Sequence, residues 1–241
     1  MTTARGKWLK PLGAMGSLVG ATLLVVAVSG PHAADHPTGG PDPQAAATGG
    51  LKRLVDGNAR FVAGKPTRPG QDAGRRVEVA AGQKPFALVV GCADSRVPPE
   101  VLFDQGLGDL FVVRTAGQVI DKAALGSIEY GVEHLHIPLL VVLGHSKCGA
   151  VQATCDAVTK GGGKAPGEIG FLIDEIRPAV EHVKAEQGDL VANAVEANVE
   201  RVVEELSEAK PIVAELAEAH KLTLQGGVYD LTSGKVSWLK H

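Results

Sequence analysis

The sequence of 241 residues lacks several features that would point to particular classes of protein. It has 24 lysines and arginines against 27 acidic residues, a formal charge of -3, and no long basic cluster. A chain with this charge balance has no electrostatic reason to bind nucleic acid, so we expect a small-molecule partner. It also lacks an internal repeat, and its hydrophobic fraction of 44% is typical of one ordinary globular domain with accessory segments.

Cysteine is scarce, with three residues in the whole chain: Cys92, Cys148 and Cys155. An odd number, in a domain large enough to fold without cross-links, does not indicate a disulfide framework. We therefore predict that two of the three cysteines ligate a metal ion. Cys155 follows Cys148 and Val151 at helical spacing, and we predict that it packs in the core.

The N-terminal segment lacks an apolar run long enough to favour a retained membrane anchor. Three basic residues come first, then an apolar run over residues 12–28, then small residues, and this order is typical of an export signal. At 17 residues the run is short for a bilayer span. We therefore predict a cleaved signal peptide over 1–29, no stable membrane insertion afterwards, and a periplasmic or extracellular location.

The rest of the chain divides into a tether and a folded domain. Residues 30–50 are rich in Pro, Gly and Ala without apolar periodicity, which predicts a flexible tether ahead of a domain over 51–241. In that domain the runs PFALVVG, DLFVVR and PLLVVLG are continuously apolar, as strands covered on both faces must be. Segments of helical spacing separate them, so we predict an α/β fold with a central, mostly parallel sheet. It would have four parallel strands and a C-terminal edge strand, flanked by helices, with an N-terminal helical arm.

Polar clusters follow two of the predicted strands at the point where each strand ends. Cys92 comes directly after the first run, and His145 and Cys148 follow the third. Since the carboxyl ends of parallel strands meet at one edge of a sheet, where ligands bind, we expect these side chains to converge. Two thiolates and one imidazole suit Zn2+, and three protein ligands leave a fourth tetrahedral position open, as in a catalytic site.

Asp94 and Arg96 follow the first of these ligands at close spacing. Beside a metal, Arg96 can hold Asp94 ionised and oriented, so that the free carboxylate oxygen accepts a hydrogen bond from metal-bound hydroxide. Alternatively Asp94 moves onto the zinc as a fourth ligand and displaces the water, which gives an inactive state. Without a metal nearby, the two residues would be read as an ordinary ion pair in a loop.

The segments CADSR, residues 92–96, and HSKCG, residues 145–149, resemble the two signatures of the β-class carbonic anhydrases, in their plant-like subtype. The resemblance extends from about residue 51 to residue 239 and includes the segments RLVDGNARFV and GGVYDLTSGKV. It implies a zinc site whose ligands are Cys92, His145 and Cys148.

For activity, the resemblance implies reversible hydration of carbon dioxide to bicarbonate and a proton by zinc-bound hydroxide. It gives the dyad role to Asp94 and Arg96, and it implies that the amide of Gln105, in the segment FDQG, orients the substrate. It also implies a homodimer, or a tetramer built as a dimer of dimers. The N-terminal helix would lie over the neighbouring subunit, which gives the apolar face of residues 51–62 its partner.

Three other functions fit parts of the pattern. The same zinc site could hydrolyse carbon disulfide or carbonyl sulfide on the same fold, since those relatives are distinguished mainly by substrate access. A non-catalytic zinc-binding module would need neither the pair of Asp94 and Arg96 nor an open coordination position. A hydrolase with a cysteine nucleophile would need a histidine placed as a base rather than as a ligand.

Overall fold

The computed structural model of the protein describes residues 42–161 and 165–240. The signal peptide expected over 1–29 lies outside these ranges and stays a prediction, as does the part of the expected tether before residue 42. The helices and strands of the described residues follow in the order α1 (Pro43–Val62), α2 (Ala73–Ala80), β1 (Ala87–Cys92), α3 (Pro99–Leu102), β2 (Leu110–Thr115), a 3-10 helix (Ala116–Gln118), α4 (Lys122–His134), β3 (Leu139–His145), α5 (Gly149–Lys160), α6 (Ile169–Val183), α7 (Leu190–Ser207), α8 (Ile212–Glu218), β4 (Thr223–Tyr229) and β5 (Val236–Trp238).

The five strands form one sheet in the order β2-β1-β3-β4-β5. β2, β1, β3 and β4 are parallel, and β5 pairs antiparallel with β4 as a hairpin at the edge. This arrangement confirms the predicted α/β fold of four parallel strands and a C-terminal edge strand. β1 and β3 are neighbours inside the sheet, and every residue of both is buried, as their continuous apolar runs require.

Helices cover the sheet on both faces. Alternate residues of each inner strand point to opposite faces of the sheet, so each strand contributes side chains to both layers. Val89 of β1 and Val141 of β3 belong to the layer that α1, α5, α6 and the first part of α7 complete. Val90 and Val142 point the other way, into the layer formed with α4, α8 and the rest of α7. Packing on both sides gives the carboxyl ends of β1 and β3 a fixed position.

The N-terminal helix α1 begins earlier than its apolar face predicts. Asp42 accepts a hydrogen bond from the backbone N–H of Gln44 at 3.1 Å, and Pro43 occupies the first turn, where its missing N–H does no harm. Residues 43–50 are therefore helical and not part of the tether expected over 30–50. Like the other helices in the described ranges, α1 lacks the apolar length that crossing a bilayer requires.

Asn58 fastens α1 to the C-terminal hairpin. Its Nδ2 donates to the carbonyl oxygens of Leu102 and Gly234, at 3.1 and 2.8 Å. Its Oδ1 accepts from the backbone N–H of Val236 at 2.9 Å. The side chain is buried, so each bond satisfies a group that has no access to water. Helix α1 is thus held in one register on the end of α3 and on the hairpin of β4 and β5.

Candidate metal centre

Three side chains that could ligate a metal ion meet at the carboxyl edge of the two inner strands. Cys92 is the last residue of β1, His145 is the last residue of β3, and Cys148 immediately precedes α5. Their ligand atoms, two Sγ and one ring nitrogen, all lie within 4.8 Å of one another. The side chains are buried, at 4%, 1% and 2% exposure. The structure therefore brings together the three residues that the sequence places at this edge.

The ring of His145 is oriented by a backbone carbonyl. Nδ1 lies 2.9 Å from the carbonyl oxygen of Ser146, to which it donates when it carries the proton. Nε2 is then the nitrogen with a free lone pair, and within the described residues it is buried without a hydrogen-bond partner. A buried acceptor without a partner, placed beside two thiols, is what a divalent metal ion would satisfy.

Ser146 is itself held by the C-terminal hairpin. Its backbone N–H donates to the carbonyl oxygen of Tyr229 at 2.9 Å, and its Oγ accepts from the backbone N–H of Leu231 at 3.0 Å. The carbonyl that orients the ring of His145 therefore has a fixed place. Orientation of this kind by an outer partner is usual for metal-binding histidines.

The two thiols of the site change each other's acidity. The adjacent Cys148 thiol, as a hydrogen-bond donor, outweighs burial and lowers the pKa of Cys92 to about 4. The same interaction raises the pKa of Cys148. Burial lowers the pKa of His145, but the neighbouring Cys92 sulfur outweighs it, and the pKa of the ring lies above its usual value. A thiol must lose its proton before it can ligate a metal ion, so metal binding by this pair would release protons.

Asp94 and Arg96 form a two-pronged ion pair at the rim of the site. Arg96 Nε donates to Asp94 Oδ1 at 2.9 Å and Nη2 donates to Oδ2 at 2.7 Å. These bonds hold the pKa of Asp94 well below its usual range. Asp94 Oδ2 lies 3.9 Å from Nε2 of His145, but Asp94 is not a member of the three-residue donor group. The structure thus places Asp94 as the partner of Arg96, next to the donors.

The side chain of Gln105 makes its hydrogen bonds to other parts of the structure than this cluster. Its Nε2 donates to the carbonyl oxygen of Phe103 at 2.7 Å, and its Oε1 accepts from Arg53 of α1 at 3.2 Å. The hydrogen bonds of the Gln105 side chain thus run to its own loop and to α1, and none of them reaches Cys92, Asp94 or His145 among the described residues. The role expected for Gln105 in orienting substrate stays a prediction.

Two further residues of the site had no role in the sequence interpretation. Arg114, near the end of β2, donates to the carbonyl oxygens of Cys92 and Asp94, at 2.9 and 2.6 Å. Gly117, in the 3-10 helix, donates its N–H to the Sγ of Cys92 at 3.3 Å. A basic residue near the end of the strand beside β1 was a visible signal for Arg114. Nothing in the sequence marks Gly117, because its role depends on how the chain turns after β2.

Comparison with known proteins agrees with this geometry. A family model described as carbonic anhydrase matches residues 87–236, a range that includes all three donors and the ion pair. A carbonic anhydrase of Mycolicibacterium smegmatis is 44% identical over 191 residues, which cover 79% of this chain and 92% of that protein. Among solved structures, Coccomyxa β-carbonic anhydrase in complex with acetazolamide has a TM-score of 0.62 and 30% identity, over 78% of this chain and 86% of the other. One of two tetrameric β-carbonic anhydrases from Sordaria macrospora shares the fold, with a TM-score of 0.62 and 24% identity over 69% of this chain and 86% of the other.

Proposed function

Because the chain belongs to the β-carbonic anhydrase family, we propose that it catalyses the reversible hydration of carbon dioxide to bicarbonate and a proton, with Zn2+ as cofactor. The observation that carries the proposal is the convergence of the donor atoms of Cys92, His145 and Cys148 beside a carboxylate that Arg96 holds in place. The family supports the reaction, and the donor set supports the metal.

The donor set fits zinc better than it fits a hard cation. Two sulfurs and one imidazole nitrogen are ligands that Zn2+ prefers, whereas Mg2+ and Ca2+ prefer oxygen. The lone pair of His145 Nε2, which has no hydrogen-bond partner among the described residues, is the third donor. A zinc ion held there supplies a Lewis acid that makes water nucleophilic toward carbon dioxide.

Asp94 and Arg96 give the site a catalytic rather than a storage character. The carboxylate stays ionised because of the two hydrogen bonds from Arg96, and its Oδ2 stands 3.9 Å from Nε2 of His145. At that place it can accept a hydrogen bond from the reacting water and fix the direction of the attacking lone pair. A site that only stored zinc would gain nothing from an oriented carboxylate at this position.

The proposed metal and reaction are tested together in the purified protein. We expect about one zinc per chain by elemental analysis, and carbon dioxide hydration far above the buffer rate in stopped flow. Cys148→Ser should lose most of both, because a neutral hydroxyl is a poor zinc ligand. Cys155→Ser is the matched control: Cys155 is equally buried in the core but is not a donor, so zinc and activity should stay. A zinc-loaded wild type with no hydration above buffer would leave only a zinc-binding module.

The proposed role of the ion pair is tested with Arg96→Gln. We expect zinc content to be retained and hydration to fall by about 100-fold, the usual scale for losing a positioned proton acceptor. The control is Arg177→Gln, since Arg177 makes a similar ion pair with Asp174 on the exposed part of α6. Equal rates for the two variants would remove the ion pair from the mechanism.

We also propose that the protein works as a dimer or a dimer of dimers. Large apolar side chains stay exposed along α1, α2 and α3 and in the loop after α3: Val55 at 41%, Val62 at 46%, Val77 at 76%, Val101 at 54% and Leu107 at 42%. Exposed apolar side chains in such a group are typical of a surface that a partner covers. The tetrameric state described for the Sordaria macrospora relative is consistent with self-association of this fold.

A further inference from the structure

The Sγ of Cys92 accepts hydrogen bonds from two backbone groups. The N–H of Asp94 lies 3.4 Å away within the same loop, and the N–H of Gly117 lies 3.3 Å away, from the 3-10 helix after β2. Hydrogen bonds from amides stabilise the thiolate and set the direction of its remaining lone pairs. The bond from Gly117 crosses between separate segments, so it depends on how the 3-10 helix is held.

Gly117 adopts a conformation that glycine alone adopts easily. Its φ is +65°, in the left-handed region, and a Cβ at this position would lie 2.6 Å from Cδ1 of Ile176 and 3.1 Å from Cβ of Ala150. A residue without a side chain can also turn its amide away from the sulfur at little cost. Something outside the 3-10 helix must therefore fix its orientation.

Asn198 on α7 provides that contact. Its Nδ2 donates to the carbonyl oxygen of Gly117 at 3.0 Å, across 81 positions of sequence, and its side chain is fully buried. The surrounding face of α7 is apolar, with Ala194, Val195 and Val202 pointing to the core. A polar residue in such a place needs a reason beyond packing.

The other atom of the same amide strengthens this argument. Asn198 Oδ1 is buried and has no hydrogen-bond partner among the described residues. A buried acceptor without a partner destabilises the fold, and an apolar side chain of the same size would avoid that penalty. The hydrogen bond from Nδ2 to the carbonyl oxygen of Gly117 is thus the contact that an apolar side chain at position 198 could not make.

We propose that Asn198 is a positioning residue for the metal centre. It holds Gly117 so that the Gly117 N–H stays on the Sγ of Cys92, and in this way it sets the orientation and donor strength of that thiolate toward a divalent metal. The inference rests on the proposed function, because it gives Cys92 the role of a metal ligand. Outer partners of metal ligands typically change metal affinity by about 10- to 100-fold when they are lost.

The test compares Asn198→Leu with Asn58→Leu, which replaces the other buried asparagine that bonds to backbone carbonyls. Zinc affinity is measured by competition with a chromophoric chelator, and the protein is also loaded with Co2+, whose thiolate-to-metal charge-transfer band reports on the sulfur. For Asn198→Leu we expect about tenfold weaker zinc binding and a shifted band. For Asn58→Leu we expect a lower melting temperature with wild-type zinc affinity and an unshifted band. Wild-type values for a folded Asn198→Leu would overturn the proposal.

Two further measurements keep the test decisive. If Asn198→Leu does not fold, Asn198→Ala, which cannot overfill the site, is measured in the same way, and wild-type values there would equally overturn the proposal. In wild-type protein loaded with cadmium-113, scalar coupling between the metal and the Gly117 amide proton is expected through the sulfur, and its absence would contradict the proposal without any variant.

A wild type that binds no metal at Cys92, His145 and Cys148 would refute the proposed function as well, whereas normal wild-type loading with an unaffected variant would refute the role of Asn198 alone.

Discussion

Asp104 shows how a single buried carboxylate organises the loop after α3. Its oxygens accept hydrogen bonds from Arg60 Nε at 2.6 Å, from the N–H of Thr67 at 2.9 Å and from the N–H of Arg68 at 2.8 Å. Its φ is +48°, a conformation that Asp and Asn adopt more readily than most residues. The residue therefore joins three segments, namely α1, the loop before α2 and the loop after α3.

Asp104→Asn should destabilise the protein in a pH-dependent way. Burial raises the pKa of Asp104, but the hydrogen bonds from Thr67, Arg60 and Arg68 outweigh it and lower the pKa to about 2, against 3.8 for the ordinary group. A depressed pKa contributes stability above the unfolded value that is lost as the pH falls through the folded value. We expect a loss of about 2 kcal/mol in the free energy of unfolding at pH 7, shrinking below about pH 4 and nearly gone near pH 2.

Denaturant unfolding across this pH range measures the effect. Asn keeps the backbone preference at this position, but its NH2 group cannot accept the bonds that one carboxylate oxygen accepts, so the change removes those hydrogen bonds together with the charge. Asp56→Asn is the control, since Asp56 pairs with Lys52 on the exposed side of α1 and should change the free energy by less than about 0.5 kcal/mol. A pH-independent difference between Asp104→Asn and wild type would show that packing, and not the charge, is responsible.

The sequence was most informative for residues that lie at the ends of the predicted strands. Cys92 and His145 could be placed at one edge because a parallel sheet brings its carboxyl ends together. Asn198 could not be found in this way, because its contact with Gly117 depends on the packing of α7 across the sheet, 81 positions along the chain. The side chain of Gln105 hydrogen-bonds to α1 and to its own loop, a geometry that no local pattern encodes.

At the scale of elements, two glycines of α1 occupy opposite environments. A Cβ on Gly49 would meet nothing within 4 Å, whereas a Cβ on Gly57 would lie 1.8 Å from the carbonyl oxygen of Phe103. Gly57 thus lets the helix approach the backbone of the loop after α3 closely, and Gly49 only adds flexibility.

Alanine at these two positions should change stability in opposite directions. Gly49→Ala should stabilise the protein by about 1 kcal/mol, because alanine is the better residue in a helix. Gly57→Ala should destabilise it by about 3 kcal/mol or more, since the backbone of Phe103 would have to move. Thermal or denaturant unfolding of the two variants, each the control for the other, measures the difference. Stabilisation by Gly57→Ala would mean that α1 is not packed as the structure has it.

The strands were predictable because each is a continuous apolar run, and β1, β2 and β3 lie where those runs lie. The start of α1 was harder, because Ala and Gly residues ahead of Leu51 show no apolar periodicity. Its cap, Asp42 followed by Pro43, is the signal that sequence reading could have used. Capping residues would therefore have located this boundary, which hydrophobic periodicity missed.

At the scale of the whole molecule, the exposed apolar side chains of α1 make self-association testable. Light scattering on the purified protein should give at least two chains per particle. The double variant Val55→Asp and Val62→Asp should lower the particle mass toward that of a monomer. Both valines are exposed in one chain and lie seven positions apart on one helical face. Ala185→Asp with Gln187→Asp adds the same charge on an exposed turn and should leave the particle size unchanged. A monomeric wild type would contradict the proposed assembly.

The depth at which the donor atoms lie has a kinetic consequence. With Cys92, His145 and Cys148 at most 4% exposed, an ion held between them would be covered by the chain on the side of its three protein ligands. Because those three bonds must all break before the ion departs, we expect its release to need a momentary opening of the surrounding loops. The lifetime of the loaded state would then depend on the protein's own fluctuations.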